Sequence, residues 1–219
     1  MRTELVLEAE RGRLPRISSA GGLAARLTAP DTVHLIGTAM TPLGGDQIDV
    51  RVFVGPGARL TVRSVAATIA LPGRVDPHSA SKWVFEIADD GYFDCEPEPM
   101  IVAGRASHDA VTDVSLTASS TVRLCERVQV GRAGEREQGF WRGTLSTTVD
   151  KTPLVVHTLE LGQGDVLGVS RALISELEYP GAEEVVFDDT AGGNGVCVPL
   201  ARGGALRTWL GTELVHAPH

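Results

Sequence analysis

The sequence lacks the features of a nucleic-acid-binding, disulfide-bonded or membrane-spanning protein. Its formal net charge is −8 and it holds no run of Lys or Arg, so a surface for nucleic acid is not expected. Three cysteines without a C-x-x-C pair predict neither a zinc knuckle nor a disulfide framework. No apolar run approaches the roughly 20 residues of a spanning helix. Charges also interrupt the N-terminal residues where a signal peptide needs an apolar core, so a cytoplasmic protein without membrane partners is expected.

Familiar catalytic motifs are also missing. There is no G-x-S-x-G segment, and the glycine-rich segment at 191–195 lacks the Lys-Ser/Thr of a P-loop. The six histidines form no H-x-x-x-H or H-E-x-x-H pattern. Glu96 and Glu98 leave one alternative open, a β-rich carbohydrate-active enzyme or carbohydrate-binding module. The prolines of the EPEP segment at 96–99 favour an extended corner over that alternative.

The composition and a loose repeat favour a strand-rich fold. Only 5% of the residues are aromatic, while Val, Thr, Ala and Gly are abundant, which favours many short strands. A polar turn followed by a strand recurs, and its apolar residues Leu60, Phe93 and Val122 lie 33 and 29 residues apart. This spacing predicts strands stacked in successive layers, although a plain β-sandwich stays open on spacing alone.

The expected fold is therefore mainly β, with wound, layered sheets in a two-layer, β-helix-like scaffold and one or two short helices. The helix is placed at 170–179, where Ser170 can cap it and Leu173, Ile174 and Leu177 form an apolar stripe. A short strand is expected at 184–187, and closing strands at 196–200 and 206–210. The length suits one domain over 1–219, with helix and closing strands at 165–215.

Three carboxylates share strand faces with apolar residues. Glu126 has the parity of Val122 and Val128 in the strand 122–130, since side chains of a strand alternate between its faces. Asp46 and Glu160 lie in comparable positions on other strands. A carboxylate on an apolar face is costly unless it finds a partner, water or a cation. The three together suggest a wet internal path with weak oxygen ligands for a divalent ion in transit.

An ordered set of motifs resembles the UreD (UreH) family of urease accessory proteins. The similarity runs over about 41–161 and includes GGD at 44–46, VGPGARLTV at 54–62 and the EPEP corner. It continues through LCERVQVGR at 124–132, Gly134-Glu135 and FWRG at 140–143. Departures occur at 64–73, at Cys95 and Glu98, and between Glu135 and Phe140. The positions taken as structural or partner-contacting motifs are Gly44, Gly45, Glu96, Pro97, Pro99, Gly131, Arg132, Gly134 and Glu135.

The resemblance implies a non-catalytic urease maturation factor with no tightly bound cofactor. Such a protein binds a helical UreF-type accessory protein, which recruits a nickel-carrying UreG-type GTPase. The assembly docks on apo-urease and delivers Ni²⁺, with a water-filled tunnel through the UreD-type subunit as the proposed route. This route agrees with the internal path inferred from the three strand carboxylates, so Asp46, Glu126 and Glu160 are expected to contact nickel in transit.

Overall fold

A computed structural model describes residues 1–132, 134–135, 137–162, 170–181 and 193–214, and these residues form strands and connections without a helix. No helix in this described part is long and apolar enough to cross a membrane. The first nine strands are β1 (Arg2–Ala9), β2 (Arg16–Ala20), β3 (Leu23–Ala29), β4 (Thr32–Gly37), β5 (Gln47–Val54), β6 (Arg59–Ser64), β7 (Thr68–Ala70), β8 (His78–Ile87) and β9 (Tyr92–Glu96). The others are β10 (Met100–Val102), β11 (Ser107–Leu116), β12 (Thr121–Val130), β13 (Phe140–Val149), β14 (Thr152–Gly162), β15 (Ala172–Tyr179), β16 (Asn194–Pro199) and β17 (Ala205–Gly211).

The strands form two sheets between which the chain alternates. The first sheet has the order β14-β13-β11-β8-β5-β1-β2, and the second has the order β16-β17-β15-β12-β9-β6-β4-β3, with β7 and β10 attached to it through β12. From β4 to β13 the longer strands enter the two sheets in turn, and neighbours from successive coils are parallel. Antiparallel strands complete both edges.

The strand register confirms the layered winding predicted from the repeat. Leu60 pairs with Phe93, and Phe93 pairs with Val122. The spacings of 33 and 29 residues therefore correspond to single coils of the chain. The fold is the wound scaffold, and the plain sandwich is not observed.

The helix predicted at 170–179 is wrong. This segment contains the strand Ala172–Tyr179, which pairs antiparallel with β12 on one side and β17 on the other. Burial alternates, with Leu173, Ser175 and Leu177 inside the molecule. The sequence fits both periods, and backbone pairing on both edges selects the strand. The closing strands are confirmed as β16 and β17, while the strand expected at 184–187 lies outside the described residues.

The interior between the sheets has two apolar clusters. One is built around Leu5, Leu60 and Phe93, and the other around Trp141 and Leu173. Single strands contribute to both: on β12, Leu124 belongs to the first cluster and Val128 to the second. Glu126 occupies the inward-facing position between these two residues, so it separates the two apolar clusters along β12.

Candidate functional site

A cavity of about 580 Å³ lies between the sheets where the two apolar clusters meet. The inward faces around it combine large apolar side chains with small or polar ones. The small or polar residues of the lining include Ser81, Thr112, Glu126, Gly143, His157 and Ser175. The cavity follows from this pattern, since none of these side chains fills space as the flanking Leu, Phe and Trp side chains do.

Glu126 is the carboxylate at the centre of the cavity wall. It lies directly across from Ser175 of β15 in the strand register and is largely buried. Among the described residues, no hydrogen bond or ion pair reaches its carboxylate. Burial raises its pKa to about 7, because removal from water disfavours the charged form. The side chain is therefore available to water or a guest in the cavity.

His108 forms a second polar group in the wall. It is fully buried on β11, where its Nδ1 shares a hydrogen bond of 2.9 Å with Ser79 Oγ and its Nε2 one of 2.9 Å with Ser81 Oγ. Burial lowers its pKa to about 4, so the imidazole is neutral at physiological pH. The sequence analysis did not identify this group. The available signal was the Ser-Ala-Ser alternation at 79–81, which places both hydroxyls on one strand face.

Two further side chains bring buried polar atoms without partners to the cavity. Trp141 Nε1 and His157 Nε2 are buried and have no hydrogen-bond partner among the described residues, and both side chains line the cavity. Unpaired buried polar groups are rare in proteins because they lose hydration without compensation. Water or a bound guest would satisfy these atoms.

The structure does not bring Asp46 and Glu160 to Glu126. Asp46 is buried in a turn, where it accepts hydrogen bonds of 2.9 Å from Thr41 Oγ1 and from the Leu43 amide and contacts the amino terminus. Burial acts to raise its pKa, but these hydrogen bonds outweigh burial and lower it. Glu160 has an exposed side chain in an ion pair of 3.5 Å with Arg142. Neither lines the cavity, and the described residues contain no group of three His, Cys, Asp or Glu placed to hold a metal.

Glu96 belongs to a charged network on the outer face of the second sheet, and Glu98 lies beside this network, 3.9 Å from Arg127. Glu96 accepts a hydrogen bond of 2.7 Å from Arg123, which also contacts Glu176 at 2.6 Å. Burial acts to raise the pKa of Glu96, but the bond from Arg123 outweighs it and lowers the pKa. A glycosidase general acid needs a raised pKa to stay protonated. This geometry therefore argues against the carbohydrate-active alternative.

Comparison with known proteins agrees with the motif pattern. A family model described as UreD urease accessory protein matches residues 5–209. The chain belongs to the UreD family. It is 37% identical over 203 residues to urease accessory protein UreD 1 of Saccharopolyspora erythraea, which covers 90% of this chain and 78% of that protein. It is 37% identical over 186 residues to UreD of Frankia casuarinae, an alignment that covers 77% of this chain and 58% of that protein. It is 48% identical over 104 residues to UreD of Frankia alni, which covers 48% of this chain and 35% of that protein. The chain thus spans less than two thirds of the length of the two Frankia relatives.

Two glycine-containing motifs of this UreD-family chain lie at one surface groove. Gly131 and Gly134 have positive φ values of 81° and 80°, a conformation that favours glycine. The Glu135 carboxylate accepts hydrogen bonds from the Arg132 amide at 2.9 Å and the Gly104 amide at 2.8 Å. Arg132, Glu135 and the Leu43 that precedes the Gly44-Gly45 pair line the same groove of about 590 Å³.

Replacing Glu135 by Gln should weaken the fold near neutral pH but not in strong acid. Burial opposes ionisation of Glu135, yet the hydrogen bonds from Arg132 and Gly104 outweigh it and lower its pKa to about 2. A carboxylate whose pKa is lower in the folded state stabilises the fold at pH values above its pKa in the unfolded chain. This contribution is lost as pH falls toward 2. Because the side chain is partly exposed, we expect a loss of only about 1 kcal/mol at pH 7. Urea unfolding of both proteins between pH 7 and pH 2.5 should show the difference shrinking; a constant difference would contradict this assignment.

Proposed function

We propose that this chain acts as a non-catalytic scaffold in urease maturation and that nickel passes through its inter-sheet cavity as cargo. One observation carries the proposal: Glu126 is a largely buried carboxylate that lines the cavity and has no partner among the described residues. Family membership supports the link to urease. The cavity supplies the space, and Glu126 supplies the charge that a cation would need to leave bulk water.

The donor set of the cavity suits a cation in transit better than a resident metal. Glu126 offers oxygen, and His157 Nε2 offers an imidazole nitrogen without a described partner. Nickel accepts nitrogen and oxygen ligands. A stable metal site needs several converging ligands, and the described residues provide no such cluster. Weak, successive contacts allow the ion to move on.

The partners follow from the same proposal. We expect the scaffold to dock on apo-urease and to bind a UreF-type helical accessory protein, through which a UreG-type GTPase supplies the nickel. The GTPase chemistry would belong to that partner, because the sequence here contains no P-loop motif. The groove lined by Leu43, Arg132 and Glu135 offers one candidate contact surface.

Replacing Glu126 by Gln should impair nickel delivery without unfolding the protein. The amide keeps the size of the side chain but removes the negative charge. We therefore expect at least about a tenfold drop in urease activation, comparable to the loss of metal affinity when a group near a metal site is removed. The measurement is urease activity and bound nickel in cells that express the urease with its other accessory proteins.

Glu160→Gln is the matched control for this experiment. Glu160 is also a strand carboxylate, but it faces solvent and pairs with Arg142. The Glu160→Gln protein should therefore support urease activation to the same extent as the unmodified chain. Normal activation by Glu126→Gln, with normal bound nickel, would contradict the proposed route. If omission of the whole chain left activation unchanged, the role in maturation itself would be wrong.

A further inference from the structure

The second sheet is interrupted along one line. Strand β6 ends at Ser64 and β7 begins at Thr68, while β9 ends at Glu96 and β10 begins at Met100. Strand β12 runs without a break past both pairs: it is paired with β9 up to Leu124 and with β10 from Val128. Residues 125–127 therefore have no strand partner on that side. We call this gap, bounded by 65–67, 97–99 and 125–127, the slot.

The slot leads to the cavity that contains Glu126. Residues from all three of its borders line the same cavity, among them Val65, Pro97, Glu98 and Arg127. Val65 is also 60% exposed on the outside of the molecule. A residue set that contacts both solvent and cavity marks a way through the sheet. The slot is thus a break in the second sheet that lies between solvent and the cavity.

Arg127 lies across the slot and is held there by few contacts. Its Nη2 donates a hydrogen bond of 3.1 Å to the Pro97 carbonyl and lies 3.9 Å from carboxylate oxygens of both Glu96 and Glu98. Its Nε is buried without a partner among the described residues. Arg123, in contrast, makes contacts of 2.6 and 2.7 Å to carboxylates in the same network. A guanidinium held by one neutral bond and two long ion pairs is easier to displace.

We propose that the slot is a side opening of the cavity for small cations and that Arg127 narrows it. The guanidinium lies across the gap and repels cations by its charge. Displacement of the guanidinium from the Pro97 carbonyl would widen the gap and leave the Glu96 and Glu98 carboxylates beside it. The identity of the cation as nickel rests on the proposed function, whereas the opening itself does not. Arg127 is thus a positioning residue for access and not a ligand.

The buried thiol of Cys95 provides the test. Cys95 lines the cavity and is 5% exposed, so in the 219-residue chain with Cys125→Ser and Cys197→Ser it reports access to the cavity. Arg127→Ala should accelerate labelling of Cys95 by a small methanethiosulfonate at least about tenfold, because the labelling rate of a buried group follows the population of the open form. A bulky maleimide should gain little, because entry through the slot, unlike unfolding of the chain, is expected to depend on the size of the reagent.

Arg123→Ala is the control, because it removes an arginine of the same network away from the slot. Its labelling rate should stay close to that of the background. Equal acceleration by Arg123→Ala, equal acceleration of both reagents, or no acceleration by Arg127→Ala would overturn the proposal. If Arg127→Ala does not fold, Arg127→Lys keeps the charge but loses the planar fork, and it should still accelerate the small reagent. Labelling needs no nickel, so its outcome is separate from that of the activation assay.

Discussion

Gly44→Ala is expected to lower the free energy of unfolding by about 3 kcal/mol or more, at the upper end of the cost of overpacking. A Cβ atom at this position would overlap the carbonyl oxygen of Asp76 and the backbone nitrogen of Gly73. Both are backbone atoms, and the Gly73 amide donates a hydrogen bond of 3.0 Å to the Asp76 carbonyl. The neighbouring segment would have to move as a whole. Urea unfolding followed by circular dichroism measures the loss.

Gly45→Ala separates crowding from backbone strain at the adjacent position. A Cβ atom at Gly45 meets nothing within 4 Å, but the residue has a φ of 90°. The expected loss is about 1–2 kcal/mol, the cost of a left-handed conformation for a residue with a side chain. Similar losses at both positions would show that the contact with Asp76 does not determine the need for glycine at 44.

Glu126→Gln is expected to raise the free energy of unfolding by about 2 kcal/mol at pH 8 and by almost nothing at pH 4.5. Burial raises the pKa of Glu126 from 4.5 to about 7, and each pKa unit corresponds to about 1.4 kcal/mol. The folded state then binds more protons than the unfolded state between these values, so the unmodified protein loses stability as pH rises through this window. Because the side chain is not fully excluded from solvent, the expected effect is smaller than this full conversion.

Denaturant titrations of both proteins between pH 4.5 and pH 8.5 measure this difference. Glu160→Gln serves again as control, because its side chain is exposed and its replacement should change the free energy of unfolding little. A difference between the Glu126→Gln and unmodified proteins that is independent of pH would contradict a raised pKa. Together with the activation assay, the expected result would show that Glu126 lowers the stability of the fold but is needed for function.

Much of the architecture follows from local patterns in the sequence. The spacing of Leu60, Phe93 and Val122 predicts neighbours in a parallel sheet because equal positions on successive coils must stack. The ordered motifs between 41 and 161 identify the family, because glycines and prolines at turns are required by backbone conformation wherever the fold recurs. Alternation along β12 places Glu126 on the inner face, since the period of a strand is set by the backbone itself.

The tertiary structure decided which patterns are used and which residues meet. The segment 172–179 fits a helix or a strand, and pairing with β12 and β17 selected the strand. Asp46, Glu126 and Glu160 look equivalent in sequence, yet one is held in a turn, one lines a cavity and one faces solvent. His108, Trp141 and His157 come to the cavity from strands far apart in the chain. Side-chain alternation is a local property of the backbone, whereas the contents of a cavity depend on contacts between distant residues, which only the folded chain establishes.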